Sequence, residues 1–469
     1  MKNVKITVDF IKETGRKIRP MHGIGQPPIL RGEPGVDPAL FHYLKEAGIP
    51  YSRLHDVAGA YGGGVFVDIP NIFRNFDADV NDPDSYDFAH TDILIRELYN
   101  YGVEPVYRLG ITIENSANIK AYNVFPPKDF KKWAQICEHI IMHYNEGWAN
   151  GFNYGITYWE IWNEPDVVLN PNNIAQTWHG TREEFFEFYK VSSTHLKDRF
   201  GDSIQVGGYA AMGFGGFEQY DPDATGVNYQ FSDEDDFDDP NFKRAYRIDY
   251  CHKFLAFVRD NNLPLDFFSW HCYTNIGPKM ILACQKHCRR VLHTYGFDSV
   301  PDFLNEWNAE RMSVRNRCLP RSAANTLGVL LGSQRNEVAM LNYYDGGIGP
   351  SVYKGMFNPD TFYPYKTYYA FKSFNEAYKL GYEAESLSDD EDVYVLGARN
   401  EEKAVILIAN TTGEPLILDF DVNGADIDKG AVLMTDEEYL YTYIGEIVKN
   451  GKLKIKEYSM IEIRLELNK

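Results

Sequence analysis

Two glutamates stand at the ends of apolar runs and define the chemistry that this sequence could carry. Glu164 follows the run Tyr-Trp-Glu-Ile-Trp-Asn at 158–163, and Pro165, which cannot donate a backbone hydrogen bond to a sheet, stops the run there. Glu306 ends a second apolar run, which begins at residue 300. A carboxylic acid that gives a proton and a carboxylate that attacks or stabilises carbon are the minimum set for hydrolysing a glycosidic bond.

Other charged side chains are expected to hold these two glutamates in place. Glu160, Trp162 and Glu164 are spaced two residues apart, so one extended strand would point all three toward the same side. A lone charge inside a fold is costly, and we therefore expect Glu160 to form a buried ion pair with Arg53. We predict the same structural role for Arg108.

Short apolar runs alternate with amphipathic helices along residues 16–380. Strands are expected at 19–25, 51–57, 104–112, 158–164, 205–209, 266–273, 301–307 and 337–344. No Gly-x-Gly-x-x-Gly motif opens a helix after the first of them, so we predict an α/β fold, a (β/α)8 TIM barrel, rather than an open doubly wound sheet. The active site of such a barrel lies at the carboxyl ends of its strands, and Glu164 and Glu306 end the fourth and the seventh.

The last part of the chain has a different pattern. From residue 381 to 469, apolar residues alternate with polar ones in short segments separated by turn residues such as Asn-Gly at 423–424 and 450–451. This pattern is typical of a β-sandwich. Residues 1–15 contain a further strand that has no place in the barrel, and we expect it to join this accessory domain.

Composition and charge narrow the classes of partner. The formal net charge of -20 provides no basic excess to neutralise phosphates, so we expect neither nucleic acid nor an anionic membrane as partner. Aromatic residues make up 15% of the chain, which suits either sugar stacking or a large core. The first ten residues lack the apolar block of a signal peptide, so we expect a cytoplasmic protein, although a secreted protein without its leader would look the same.

No cofactor or metal is expected from the sequence. The six cysteines show no CxxC pair, and we predict reduced, mostly buried thiols. A metal-dependent barrel hydrolase would need clustered ligands, whereas His22, His55 and His271 fall on different predicted strands.

Several motifs together resemble clan A retaining glycosidases, and in particular glycoside hydrolase family 39. They are Trp-Asn-Glu-Pro at 162–165, Arg-Leu-His-Asp at 53–56, Trp-His-Cys-Tyr at 270–273 and the strand-end Glu306, and the resemblance covers nearly the whole chain. It implies a retaining, exo-acting, β-xylosidase-like enzyme on a glycoside or oligosaccharide. Glu164 would then be the acid/base, Glu306 the nucleophile and Asn163 a donor to the sugar 2-hydroxyl.

The resemblance also suggests residues that contact the sugar or the nucleophile. His55, His271 and Tyr273 match such positions, and His271 and Tyr273 are spaced to share one strand face. For His22, substrate binding and core packing are equally open. Clan members commonly place a tryptophan at the end of the eighth strand, where this chain has tyrosines at 343 and 344; sugar stacking by Tyr344 remains an expectation, and xylose specificity is weakened.

Other functions stay open at this point. They include an endo-acting glycanase, an α-L-arabinosidase, a β-glucosidase and a non-catalytic sugar-binding barrel. An α-L-iduronidase would need a cation beside the sugar carboxylate, for which Arg311 or Lys354 would be available. Assembly into a homo-oligomer is also left open.

Overall fold

The structure is a computed structural model. It describes residues 1–28, 40–55, 67–111, 124–167, 177–221, 239–310, 319–348 and 355–468. Arg311, Cys318 and Lys354 lie outside these residues. Within them, no helix is both long and apolar enough to cross a membrane.

The chain begins with strand β1 (Lys2–Lys17) and then enters a closed barrel of eight parallel strands that are neighbours in sequence order. These strands are β2 (Gly23–Gly25), β3 (Tyr51–Leu54), β4 (Glu104–Leu109), β5 (Tyr158–Ile161), β6 (Gln205–Ala211), β7 (Phe267–Tyr273), β8 (Asp302–Asn308) and β9 (Met340–Tyr343). Every predicted strand overlaps one of them, and the predicted TIM barrel is confirmed.

Helices cover the outside of the barrel. They are α1 (Phe41–Glu46), α2 (Ile69–Ile72), α3 (Ala89–Asn100), α4 (Phe130–Asn145), α5 (Arg182–Phe200), α6 (Phe217–Tyr220), α7 (Pro240–Asp260), α8 (Pro278–Thr294), α9 (Pro320–Ser333) and α10 (Lys366–Leu380). Helix α5 shows how the sequence sets such an element: Thr181 and Glu184 form a reciprocal capping box at its start, and Phe185 and Phe188 bury its inner face.

The interior of the barrel is layered. At its amino-terminal end, Val106, Phe267, Phe303 and Met340 form an apolar plug, in which the rings of Phe267 and Phe303 stack with centroids 4.5 Å apart. Charged and polar side chains lie beyond this plug toward the carboxyl ends of the strands. The plug therefore closes one end of the barrel and leaves the other end for chemistry.

A second, mixed sheet of nine strands follows the barrel. Its strands are β1, β10 (Tyr382–Ser388), β11 (Val393–Arg399), β12 (Lys403–Asn410), β13 (Leu416–Asn423), β14 (Ala431–Thr435), β15 (Thr442–Gly445), β16 (Lys452–Ile455) and β17 (Met460–Glu466). Strand β1 belongs to this sheet, as predicted for the N-terminal strand. It lies inside the sheet, antiparallel to β10 and parallel to β13. We propose that residues 16–380 form the barrel domain and that residues 381–469, joined by residues 1–15, form the accessory domain.

The two parts of the chain pack together through barrel helices. One face of the nine-stranded sheet encloses its own apolar cluster, which includes Ile6, Ile406 and Ile463. Residues of the other face, such as Leu407, belong to the core around the barrel. The hydroxyl of Ser373 on α10 donates to the buried carboxylate of Glu462 on β17 at 2.7 Å, so this interface also has a polar anchor.

The prediction that Glu160, Trp162 and Glu164 share one strand face is wrong. Strand β5 ends at Ile161, and both Trp162 (φ 70°) and Glu164 (φ 47°) adopt left-handed backbone conformations. The indole of Trp162 packs outward against helix residues, among them Phe188. The two-residue period ends with the strand, so it does not set the direction of Glu164. Glu164 reaches the carboxyl end of the barrel because the chain turns there.

We expect substitution of Ile6 to show that β1 is an integral strand of the accessory sheet. Ile6 is fully buried, so Ile6→Ala should lower the free energy of unfolding by about 2–5 kcal/mol, measured by urea denaturation. The neighbouring exposed Lys5 offers a matched control, and Lys5→Ala should change stability by less than about 1 kcal/mol. Equal effects of the two changes would contradict the central position of β1.

Candidate active site

Arg53 is the centre of the polar layer inside the barrel. Its guanidinium donates from Nε to Glu160 at 2.7 Å, from Nη1 to Glu306 at 2.6 Å and from Nη2 to Asn163 at 2.7 Å, and the side chain is fully buried. Glu160 also accepts a hydrogen bond from the amide of Asn305. The predicted buried ion pair of Arg53 and Glu160 is confirmed, and Arg53 in addition contacts one of the two strand-end glutamates directly.

The position of Glu306 depends on an irregularity in β8. The pairing of β8 with β7 shifts register between Leu304 and Glu306, so the strand contains one extra residue at this point. Both Asn305 and Glu306 consequently contact residues inside the barrel. Such bulges re-aim a side chain without ending the strand.

Glu306 is surrounded by groups that favour its ionised form. One carboxylate oxygen accepts from Arg53, and the other accepts from the hydroxyl of Tyr273 at 2.6 Å. Burial raises the pKa of Glu306, while the charge of Arg53 and the Tyr273 hydrogen bond oppose this effect. Nε2 of His55 lies 3.6 Å from the oxygen that Arg53 contacts.

Glu164 has a different environment. Its Oε1 lies 2.6 Å from Nδ1 of His271, and the residue is buried. Burial raises the pKa of Glu164 to about 7, although the charges of Arg247 and Arg53 act against it. Glu164 is therefore suited to hold a proton near neutral pH, whereas Glu306 is the carboxyl with a cation and a phenol in direct contact.

The two carboxyl groups face each other across a short gap. One oxygen of Glu164, one oxygen of Glu306 and a ring nitrogen of His271 all lie within 4.8 Å of one another. The same His271 Nδ1 that contacts Glu164 is 3.6 Å from Glu306. A sugar carbon and its leaving oxygen placed in this gap would meet both carboxyl groups.

Both histidines of the site favour the neutral form. Burial lowers the pKa of His271 to about 4, and burial together with the charges of Arg53 and Arg108 lowers the pKa of His55 well below its ordinary value. At neutral pH they therefore act as hydrogen-bonding groups. Arg108 itself pairs with the buried carboxylate of Asp68 at 2.5 Å, as expected for a structural charge.

Asn163 has a fixed orientation. Because a guanidinium only donates hydrogen bonds, the atom of Asn163 that faces Arg53 must be its amide oxygen. The amide NH2 group is then left to donate to another partner. This orientation suits the predicted contact with a sugar hydroxyl.

Tyr344 lies beside the site, and Gln26, which the sequence did not single out, contacts it. The Tyr344 ring lies 6.1 Å from that of Tyr273 and 6.5 Å from that of His55. The side-chain amide of Gln26, a residue with φ 51° just after β2, donates to the Tyr344 hydroxyl at 2.6 Å. The one signal for Gln26 in the sequence was its position directly after a predicted strand.

His22 does not join the other predicted site residues. It precedes β2 at the amino-terminal end of the strand, and its ring packs against Phe374 and Tyr378 of α10 at 5.2 Å. Burial lowers its pKa to about 3. Of the two interpretations left open for His22, the structure therefore supports core packing, since the start of a barrel strand lies away from the catalytic end.

Two further features support the loop that carries Glu164. Both carboxylate oxygens of the buried Asp166 accept from the backbone amide of Met212, at 3.1 and 3.0 Å. Gly213, at φ 98°, lies so close to β7 that a Cβ there would be 1.9 Å from the carbonyl oxygen of His271. The chain after β6 thus contacts both the Glu164 loop and the strand that carries His271.

The donor set of the site fits acid–base chemistry better than a metal. Glu164, His271 and Glu306 are the one group with metal-ligand spacing in the part of the chain that the structure describes. However, His271 already hydrogen bonds to Glu164, and Arg53 supplies a positive charge to Glu306.

The five described cysteines, at 137, 251, 272, 284 and 288, are free and buried, as predicted.

The raised pKa of Glu164 predicts that this residue destabilises the fold in its ionised form. Its folded-state pKa of about 7 exceeds the ordinary 4.5, so protonated Glu164 favours folding below pH 4.5, and this contribution is lost as the pH rises through 7. Glu164→Gln cannot ionise and should raise the free energy of unfolding by about 1–3 kcal/mol at pH 8. Urea denaturation should show little difference at pH 4.5.

Glu160→Gln provides the control of opposite sign. It removes a buried carboxylate that contacts Arg53 at 2.7 Å, so it should destabilise the protein by about 3–5 kcal/mol at pH 8. A loss of stability in Glu164→Gln at pH 8 would contradict the assignment of Glu164 as the carboxyl with the strongly raised pKa.

Comparisons with known proteins identify the family of the chain. Residues 41–316 match the pattern of Glycosyl hydrolases family 39, and this range includes both glutamates. A β-xylosidase from Geobacillus stearothermophilus is 25% identical over 229 residues, which cover 46% of this chain but 36% of that longer relative. A β-xylosidase from Caldicellulosiruptor saccharolyticus is 26% identical over 238 residues, or 49% of this chain and 37% of that protein.

Solved structures share the fold over the whole chain. A glucosidase from Croceicoccus marinus superposes with a TM-score of 0.74 at 18% identity and 100% coverage of both chains. A family 39 β-xylosidase from Caulobacter crescentus gives a TM-score of 0.67 at 17% identity, covering 98% of this chain and 99% of that one. Because the match to the family pattern spans more than half of the sequence, the chain belongs to glycosyl hydrolases family 39.

Proposed function

We propose that the protein is a retaining, exo-acting glycoside hydrolase that uses Glu306 as nucleophile and Glu164 as acid/base. The observation that carries the proposal is the pair of carboxyl groups with oxygens within 4.8 Å and with unlike surroundings. Retaining enzymes hold their carboxyl groups about 5–5.5 Å apart, whereas inverting enzymes need about 6.5–9.5 Å to admit a water. The short gap supports retention.

In the first step, the Glu306 carboxylate attacks the anomeric carbon while Glu164 gives its proton to the departing oxygen. The bond from the anomeric carbon to that oxygen breaks, and a covalent glycosyl ester of Glu306 forms. Glu164 holds the required proton because burial raises its pKa to about 7. Tyr273 and Arg53 keep the attacking carboxylate ionised and oriented.

In the second step, Glu164, now ionised, takes a proton from a water molecule that attacks the same carbon. The ester bond to Glu306 breaks, the carboxylate returns to its pairing with Arg53, and the sugar leaves with the configuration it had in the substrate. His271 contacts Glu164 at 2.6 Å and helps to orient it in both protonation states. The Asn163 amide donates to the sugar 2-hydroxyl, a contact that strengthens in the transition state.

The proposed substrate is a terminal β-linked sugar, and β-xylosides are the preferred candidates. This choice follows the two relatives named β-xylosidase. Tyr344, whose hydroxyl accepts a hydrogen bond from Gln26, contacts the sugar in this proposal. A panel of aryl β-xylosides, β-glucosides, α-L-arabinosides and α-L-iduronides tests the choice, and proton NMR of the first product tests retention. An inverted product would contradict the mechanism, and no turnover of any glycoside would favour a sugar-binding protein without catalysis.

Chemical rescue tests the nucleophile. Glu306→Ala should lose at least about 1,000-fold in kcat, and azide, which fits the space of the missing carboxylate, should restore turnover by forming a glycosyl azide of inverted configuration. The matched variant Glu164→Ala should instead yield a glycosyl azide of retained configuration, since its nucleophile is intact. Wild-type turnover in Glu306→Ala would contradict the assignment of Glu306.

The leaving group tests the acid. Glu164→Ala should lose about 100- to 10,000-fold in kcat/KM on glycosides with poor leaving groups, which need protonation, and far less on dinitrophenyl glycosides, which do not. In the unchanged enzyme, kcat/KM for the poor leaving groups should fall above pH 7, because Glu164 then loses its proton. Equal losses on both kinds of substrate would contradict the role of Glu164 as acid.

A further inference from the structure

The accessory sheet contains a groove that the catalytic site does not use. It has a volume of about 660 Å³, within the range of about 300–1,000 Å³ typical of small-ligand sites. Its walls come from the end of β1, the start of β10 and the turn between β11 and β12. The residues that matter are Glu13, Tyr382, Arg399, Asn400, Glu401 and Glu402.

An irregularity of β1 creates this groove. From Asp9 to Glu13 the chain advances four residues, while the paired strand β10 advances only from Glu385 to Ala384. The extra residues bulge away from the sheet. The hydroxyl of Thr14 fixes the bulge by donating to the carbonyl of residue 383 at 2.6 Å, so this wall is held in place.

The groove lies far from the two catalytic glutamates. Tyr382 follows the end of α10 at Leu380, and α10 begins after the carboxyl end of β9, so the helix runs back to the opposite end of the barrel. A helix of 15 residues spans about 22 Å. A ligand in the groove is therefore separate from a sugar held between Glu164 and Glu306.

The chemistry of the groove suits a neutral sugar. Tyr382 is 51% exposed and offers an aromatic face in a mostly polar setting. The Asn400 side-chain oxygen accepts from the backbone amides of residues 402 and 403, which leaves its NH2 group as a donor. Arg399, 23% exposed, lies 3.8 Å from the 88% exposed Glu13, so donor and acceptor groups stand side by side as vicinal hydroxyls require.

The charge of the groove argues against an anionic ligand. Glu383 is neutralised by Arg16 at 2.9 Å, but the three carboxylates of Glu13, Glu401 and Glu402 outnumber the single guanidinium of Arg399.

We propose that this groove is a second glycan-binding site, which takes a neutral sugar unit against Tyr382 and anchors the protein to a polysaccharide. The choice of a sugar as ligand rests on the proposed function, whereas the site itself rests on the groove.

Affinity gel electrophoresis tests the proposal with the full chain. The Glu306→Gln protein, which cannot degrade the glycan, is run in native gels that contain xylan, β-glucan or glucomannan. At least one glycan should retard it, and adding Tyr382→Ala should weaken the apparent affinity about five- to tenfold, since one stacking contact is lost. Tyr382→Phe, which keeps the ring, should retain the affinity.

Tyr443→Ala is the matched control, because Tyr443 is 60% exposed on strand β15 of the same sheet. It should leave the retardation unchanged, and Tyr382→Ala in the active enzyme should leave hydrolysis of a small aryl glycoside unchanged. Equal retardation with and without Tyr382, equal effects of the two alanine changes, or no retardation in any gel would overturn the proposal. The gel readouts do not require catalysis, so failure of the proposed activity is detected separately by the aryl glycoside assay.

Discussion

The arrangement of the active site depends on one buried cation. Arg53 joins a residue on β5, a residue of the loop after β5 and a residue on β8, and it is the common partner of Glu160, Asn163 and Glu306. A guanidinium suits this task because its donors diverge in one plane and it stays charged. Its removal would leave two buried carboxylates without their cation, which is why the polar layer of the barrel is best regarded as a single unit.

Around this unit, the protein gives its two strand-end carboxyl groups unlike properties. Glu306 receives hydrogen bonds from a cation and a phenol, whereas Oε1 of Glu164 lies 2.6 Å from the ring of a histidine that burial keeps neutral. The difference in proton affinity thus arises from the neighbours, because the two side chains are chemically identical. Burial raises the pKa of Glu164 to about 7, so the carboxyl proposed to carry a proton at neutral pH also costs stability when it is ionised.

The sequence predicted the architecture and most of the residues that the structure brings together around Glu164 and Glu306, because the signals for them are local in the chain. The apolar runs marked all eight barrel strands, and the Arg53–Glu160 pair followed from the cost of a lone buried charge. The two-residue period failed at Trp162, where left-handed backbone ends the strand, and it also missed the bulge that brings Asn305 and Glu306 inward together. His22 was ambiguous because strand ends look alike in sequence, and Gln26 was missed because its contact with Tyr344 joins residues 318 positions apart.

The place of β1 in the second sheet has a consequence for how the chain reaches its native state. Strand β1 comes first in sequence, but its neighbours β10 and β13 come only after the whole barrel. During synthesis this strand emerges hundreds of residues before either partner, so its apolar face stays uncovered while the barrel assembles. Closing so long a loop is slow, and completion of the nine-stranded sheet is therefore expected to be the last step of folding.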